Sequence, residues 1–167
     1  MTGGSTGLVI GLGQPDRGDD AVGPTVARRV AALAVPRVQV VERADPTDLL
    51  DAWAGHDAVV LVDAVCSGAP PGTLHVLHVG AADVVDAAAW TATGRGGTHG
   101  WGVGEVVALG RALGRLPQRL VVLGVEAVQF DHGAPLSPPV RDAVPQAAEA
   151  VLSALAPAPH GASPPCA

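Results

Sequence analysis

The stretch Gly7–Gly23 reads GLVIGLGQPDRGDDAVG, and the fold follows from how it is parsed. Residues Gly7–Gly13 are a short apolar run closed by glycine, the form of a buried strand. A helix over Ala21–Leu33 follows, with Pro24 in its first turn, where a missing N–H costs little. The same alternation continues outward. Arg37–Glu42 (RVQVVE) reads as a second strand and Pro46–Ala54 as a short helix. Asp57–Asp63 (DAVVLVD) is a third strand, apolar on both faces and so buried between layers. Gly72–Val79 (GTLHVLHV) alternates less cleanly and reads as a fourth strand at an edge. Thr91–Gly97 is a glycine-rich loop, and Gly102–Leu116 carries Val103, Val106, Leu109 and Leu113 on one helical stripe. Arg119–Val125 is a fifth strand and Pro138–Leu155 the last helix. Strands alternating with helices give the α/β class: three layers, with a five-stranded, mostly parallel sheet between helices. Right-handed crossovers put strands two and three on opposite sides of strand one. The crevice at the carboxyl ends of strands one and three is then a topological switch point, where such folds bind ligands. Chemistry is expected just after Gly11 and just after Val62.

The chain has 167 residues, which suits one domain over residues 1–155. The tail over 156–167 (APAPHGASPPCA) is rich in Pro and Ala and is expected to be disordered. A chain of this size buries roughly 70% of its unfolded surface and needs no staples. Its two cysteines, Cys66 and Cys166, make no disulfide framework, so a reducing, cytoplasmic compartment is expected. No apolar stretch approaches the ~20 residues of a membrane span, and the N-terminus lacks the basic region of a signal peptide. Net charge is −6 at pH 7, against the basic face that nucleic acid requires. With three Trp, one Phe and no Tyr, stacking on bases is also disfavoured.

Asp19 and Asp20 stand side by side at the start of the first helix. One ordinary role is helix capping, worth ~1 kcal/mol, and Asp19 is the candidate for it. Only one of the two can cap. The positive end of the helix favours an ionised carboxylate, which makes a hard ligand or a general base. Asp63 closes strand three; it is either a solvated, turn-forming acid or a functional partner of Asp20 across the switch point. Among six histidines, His56 reads as a surface residue, His75 and His78 as edge or half-buried residues of strand four, His132 as a loop residue and His160 as part of the tail. His99 alone sits in a glycine-flanked loop at a helix start, where the helix dipole disfavours imidazolium. A neutral imidazole is what a metal needs. Asp20, Asp63 and His99 together supply two carboxylates and one imidazole, a set suited to Zn²⁺, Ni²⁺ or Mn²⁺ with open positions. No HExxH or CxxC signature accompanies them.

Two rival readings use neighbouring residues. A dinucleotide site fails at its third fingerprint glycine, which is Asp16, and Asp19 and Asp20 would repel a pyrophosphate. Cys66 with His99 could form a nucleophilic pair, although a cysteine at a strand end is more often a small buried hydrophobe.

Four blocks, in order, resemble the hydrogenase maturation protease family. Residues 8–30 (LVIGLGQPDRGDDAVGPTVARRV) resemble its N-terminal G-x-G-N-x-x-x-x-D-[DE]-G-x-G signature, with Gln14 where Asn is usual, Ala21 where Gly is usual, and Asp20 where Glu is frequent. Residues 59–74 (VVLVDAVCSGAPPGTL), 98–113 (THGWGVGEVVALGRAL) and 121–140 (VVLGVEAVQFDHGAPLSPPV) resemble the second, third and fourth blocks. The resemblance implies a mixed five-stranded sheet with strand four antiparallel, which suits the irregular pattern of Gly72–Val79. It implies metal-binding residues at Asp20, Asp63 and His99, with Asp20 and Asp63 the candidate catalytic carboxylates. It also implies an endopeptidase that removes the C-terminal extension of a [NiFe] hydrogenase large-subunit precursor after nickel insertion. The nickel would come with the substrate and would not be held permanently. The rival functions are a self-contained metallohydrolase with a resident Zn or Mn, and a non-enzymatic maturation chaperone.

Overall fold

The strands β1 (Gly7–Leu12), β2 (Val38–Arg43), β3 (Ala58–Val65), β4 (Leu74–Val79) and β5 (Arg119–Glu126) form one sheet in the order β2-β1-β3-β5-β4. They belong to a computed structural model that describes residues 7–79 and 102–156. All neighbouring strands pair in parallel except β4, which runs antiparallel to β5 at the edge. The helices are α1 (Val22–Ala32), α2 (Leu49–Ala52), α3 (Val103–Ala112) and α4 (Pro138–Leu155). A 3-10 turn, Gly18–Ala21, precedes α1, and another, Pro46–Asp48, precedes α2. The three-layer class, the switch point between β1 and β3, and the antiparallel fourth strand are those expected from the sequence. No helix among the described residues is long and apolar enough to cross a membrane.

Strand alternation sends apolar side chains to both faces and makes two cores. On one face Val9, Val60, Val62, Leu123 and Val125 pack against Val22, Val26 and Val30 of α1 and Val140, Val144, Ala147 and Val151 of α4. On the other, Leu8, Ile10, Leu61, Leu120 and Val122 pack against Leu49, Trp53 and the α3 residues Val103, Val106 and Val107. Trp53 is almost wholly buried and donates its indole N–H to the Arg115 carbonyl at 3.0 Å, so its polar edge is satisfied.

Most boundaries shift by a residue or two from the sequence reading, and two of the shifts have a clear cause. The third strand does not stop at Asp63. It runs on to Val65 because β5 extends to Glu126 and continues the ladder, pairing Asp63 with Gly124 and Val65 with Glu126. The helix expected over Gly102–Leu116 ends at Ala112, where the N–H groups of Gly114 and Arg115 turn back to the carbonyls of Arg111 and Gly110. The glycine-rich loop Thr91–Gly97 lies outside the described residues, as does the tail beyond 156.

One contact sets how closely α1 approaches the sheet. A Cβ on Gly23, in the first turn of α1, would lie 2.6 Å from the Val62 carbonyl oxygen, 2.8 Å from the Leu12 nitrogen, and closer still to the Leu12 oxygen. The facing Gly11 of β1 would in turn meet the Gly23 carbonyl oxygen at 2.5 Å and the Ala27 Cβ at 2.7 Å. Paired glycines therefore let the helix backbone rest directly on the ends of β1 and β3. The start of α1, with the acids just before it, is pinned at the switch point.

Candidate active site

Asp19 and Asp20 are both buried, at 0% and 1% exposure, yet their side chains do different things. Asp19 does not cap α1, whose N-cap is Ala21 with no side-chain cap bond. Instead its carboxylate reaches across to the chain after β5. Oδ2 accepts from the backbone N–H groups of Val128 and Gln129, each at 3.0 Å, and from the Ser137 hydroxyl at 2.9 Å. Oδ1 accepts from the Ser137 N–H at 2.6 Å. Ser137 is the N-cap residue of α4, so the carboxylate also sits at the positive end of that helix. The expectation that Asp19 caps the first helix is thus corrected: the 3-10 turn delays α1 to Val22 and turns Asp19 toward a distant loop.

Asp20 folds back over the exit of β1. Its Oδ2 accepts the Gln14 N–H at 3.0 Å, and its own N–H donates to the Arg17 carbonyl at 3.1 Å. The amide side chain of Gln14 is exposed, so at this position the backbone N–H makes the contact. Asp63 is 5% exposed and its Oδ1 accepts the N–H of Ala64 at 2.9 Å. By alternation it shares the sheet face of Val59 and Leu61, the face covered by α3. Asp20 and Asp63 therefore both stand at the carboxyl end of the adjacent central strands β1 and β3. His99 lies outside the described residues, three positions before the α3 N-cap Gly102, on the segment leading to the helix that covers the Asp63 face. Among the described residues no three His, Cys, Asp or Glu side chains form a metal-holding group.

Sequence reading missed a fourth buried carboxylate, Glu126, which it left just past the fifth strand. Glu126 is 2% exposed. Oε1 accepts the N–H groups of Ser67 and Gly68 at 2.8 and 3.0 Å. Oε2 meets the Ser67 hydroxyl at 2.8 Å and His75 Nε2 at 3.0 Å. Burial pushes the carboxyl up, but the bonds from the Ser67 hydroxyl, the two backbone N–H groups and His75 outweigh it and hold it below the ordinary carboxylate range. Register places Asp63, Gly124 and His75 opposite one another on β3, β5 and β4. A glutamate ending an otherwise apolar strand was the available signal. Its partners arrive from a turn and an edge strand that only the fold brings close.

The other described histidines stand apart from these carboxylates. His56 contacts Gln39 at 3.2 Å on the surface, and His78 and His132 are exposed. Cys66 packs at the margin of the α1/α4 core, with its Sγ 3.7 Å from the Ala127 carbonyl oxygen.

Comparison with known proteins bears on this arrangement. The family model for hydrogenase maturation proteases matches residues 25–154, a span that includes Asp63 and His99 and begins just after Asp20. A hydrogenase expression/formation protein, HupD, from Rhizobium leguminosarum is 30% identical over 101 residues, covering 60% of this chain and 48% of the relative. The match thus spans about half the length of that curated relative. Among solved structures, the hydrogenase maturating endopeptidase HybD from E. coli superposes with a TM-score of 0.71 at 27% identity, covering 90% of this chain and 91% of that one. A [NiFe] hydrogenase maturation protease HycI from Thermococcus kodakarensis has the same fold, with a TM-score of 0.67 at 23% identity over 92% of this chain and 94% of its own. On the breadth of the family-model match, this chain belongs to the hydrogenase maturation protease family.

Proposed function

We propose that this protein is the endopeptidase that removes the C-terminal extension from the nickel-loaded large-subunit precursor of a [NiFe] hydrogenase. The observation that carries the reading is the burial of Asp20 and Asp63 at the carboxyl ends of β1 and β3, in a chain of this family. His99 completes the set from the segment before α3. The nickel is part of the substrate. Two carboxylates and an imidazole present hard and borderline donors to it and leave coordination positions open. Substrate nickel held there polarises the nearby scissile carbonyl or activates a water, and Asp20 or Asp63 serves as general base for the attacking water. The C–N bond then breaks, and the new amine takes up the proton. The Gln14 N–H, donated to Oδ2 at 3.0 Å, holds the Asp20 carboxylate over the exit of β1.

Nickel recognition also explains timing. Loaded and empty precursors share one sequence, so sequence readout cannot separate them, whereas a coordinate bond can. A hundredfold discrimination needs only ~2.7 kcal/mol. The test is to mix the protein with nickel-loaded and nickel-free precursor and follow the size shift of the large subunit. Cleavage of the loaded form alone is expected. Equal cleavage of both would refute gating. Failure to cleave either, with stable binding, would favour the chaperone reading, and stoichiometric metal in the purified protein would favour the self-contained metallohydrolase.

A further inference from the structure

The loop that carries Asp20 is fastened to the opposite side of the switch point more heavily than a surface loop requires. Backbone bonds join Gly18 N–H to the Ala134 carbonyl (3.1 Å), Asp19 N–H to the Gln129 carbonyl (2.7 Å) and Gly133 N–H to the Asp16 carbonyl (2.7 Å). The Arg17 guanidinium adds a bond to the Phe130 carbonyl at 3.2 Å. Gly18 lies in the left-handed region at φ +54, and a Cβ there would meet the Gln129 carbonyl oxygen at 2.6 Å. At the centre of this seam is the Asp19 carboxylate, with four donors on its two oxygens.

We infer that Asp19 is the positioning residue for Asp20. Asp19 does not itself face substrate, because the donors from Val128, Gln129 and Ser137 already occupy both of its oxygens. It fixes the peptide unit whose next side chain is Asp20, relative to the loop after β5 and the start of α4. A carboxylate that meets a metal must be placed to within a few tenths of an ångström, and groups that hold a ligand in place typically matter ten- to a hundredfold in metal affinity. Within loop 13–21, Asp20 accepts the Gln14 N–H and donates its own N–H to the Arg17 carbonyl. The cross-loop clamp fixes that loop against the chain after β5.

Asparagine cannot replace Asp19. Its carboxamide offers one acceptor oxygen where four donors converge, and its NH₂ group would face another N–H. The inference rests on the reading that Asp20 and Asp63 face a metal, and the experiment separates the two. The full-length protein is titrated with Co²⁺ alone, whose visible spectrum reports ligand number and geometry, in parallel with a thermal melt. Wild type is expected to bind saturably and Asp20→Asn to lose binding. Asp19→Asn is expected to bind at least tenfold more weakly, with an altered spectrum, at a temperature where it is fully folded. Ser137→Ala, which removes one donor and keeps the backbone N–H, is expected to fall between them. It decides the matter if Asp19→Asn does not fold. A wild type without saturable binding, or an unchanged Asp20→Asn, sinks the metal-facing reading and this inference with it. A folded Asp19→Asn with wild-type affinity and spectrum, or such a Ser137→Ala where Asp19→Asn does not fold, alongside an Asp20→Asn that has lost binding, overturns the positioning role alone.

Discussion

Replacing Gly23 with alanine adds one methyl group, at the point where α1 rests on the sheet. In place, that methyl would sit 2.6 Å from the Val62 oxygen and 2.8 Å from the Leu12 nitrogen, well inside contact distance. Both are backbone atoms of central, fully buried strands, so neither can rotate away. The helix must lift by several tenths of an ångström, and the Val22, Val26 and Val30 contacts with the sheet open with it. Gaps of 0.5–1 Å forfeit a quarter to a half of the dispersion well. Overpacking costs about 1–3 kcal/mol and more where the neighbours are rigid. The better helix propensity of alanine returns at most ~1 kcal/mol. The net loss is therefore about 2 kcal/mol or more, or roughly 4–8 °C in Tm for a domain of this size. Gly110→Ala in α3 is the control. The nearest atoms to its added Cβ would be side-chain atoms of Leu116, Leu50 and Trp53, at 3.0, 3.1 and 3.3 Å. There propensity and mild crowding nearly cancel. Thermal melts of the two variants measure the difference. If Gly23→Ala melts within ~1 °C of wild type, the close-approach argument is wrong.

Glu126→Gln keeps an oxygen for the Ser67 and Gly68 N–H groups but loses the charge, and should cost about 1–2 kcal/mol at neutral pH by denaturant unfolding. Because the folded pKa of Glu126 is depressed, its contribution is fully present above the unfolded value of about 4.3 and is lost as pH falls through the folded value. The gap between wild type and variant should accordingly close in acid, and a gap that persists or widens there would contradict the assigned shift. Asp20→Asn and His99→Ala should each abolish processing of the loaded precursor while leaving the melting temperature near wild type. Cys66→Ala should retain cleavage, since its thiol lies at the edge of a core; loss of processing by a folded variant would revive a thiol mechanism.

Much of this architecture was legible because it rests on local signals. The run GLVIGLG and the AVVLV between Asp57 and Asp63 are apolar without interruption and read as central strands; GTLHVLHV, with its two histidines, reads as an edge. The crossover rule then located the switch point without further information. What the sequence concealed was long-range. Asp19 looked like a helix cap because caps are read from neighbours, whereas its partners lie 109 to 118 residues away. Asp63 looked terminal because the apolar run ends there, and only the length of β5 shows that the ladder continues. Glu126 showed only as a glutamate at the end of an apolar strand, since its four donors come from a turn and an antiparallel neighbour.

The bond between Asp19 and Ser137 has a further consequence, in the order in which the chain is made. The two residues are separated by 118 positions, so the junction closes a loop of most of the domain, an entropic cost met only once the rest of the fold supports it. During synthesis, a chain that has emerged only as far as β3 already holds Asp20 and Asp63 but has none of the donors that seat Asp19. The donors at Val128 and Gln129 emerge just after the fifth strand, and those at Ser137 with the start of the final helix. Seating of the loop that carries Asp20 is thereby tied to near-completion of the polypeptide: a truncated or partly made chain carries Asp20 but lacks the donors that clamp its neighbour Asp19.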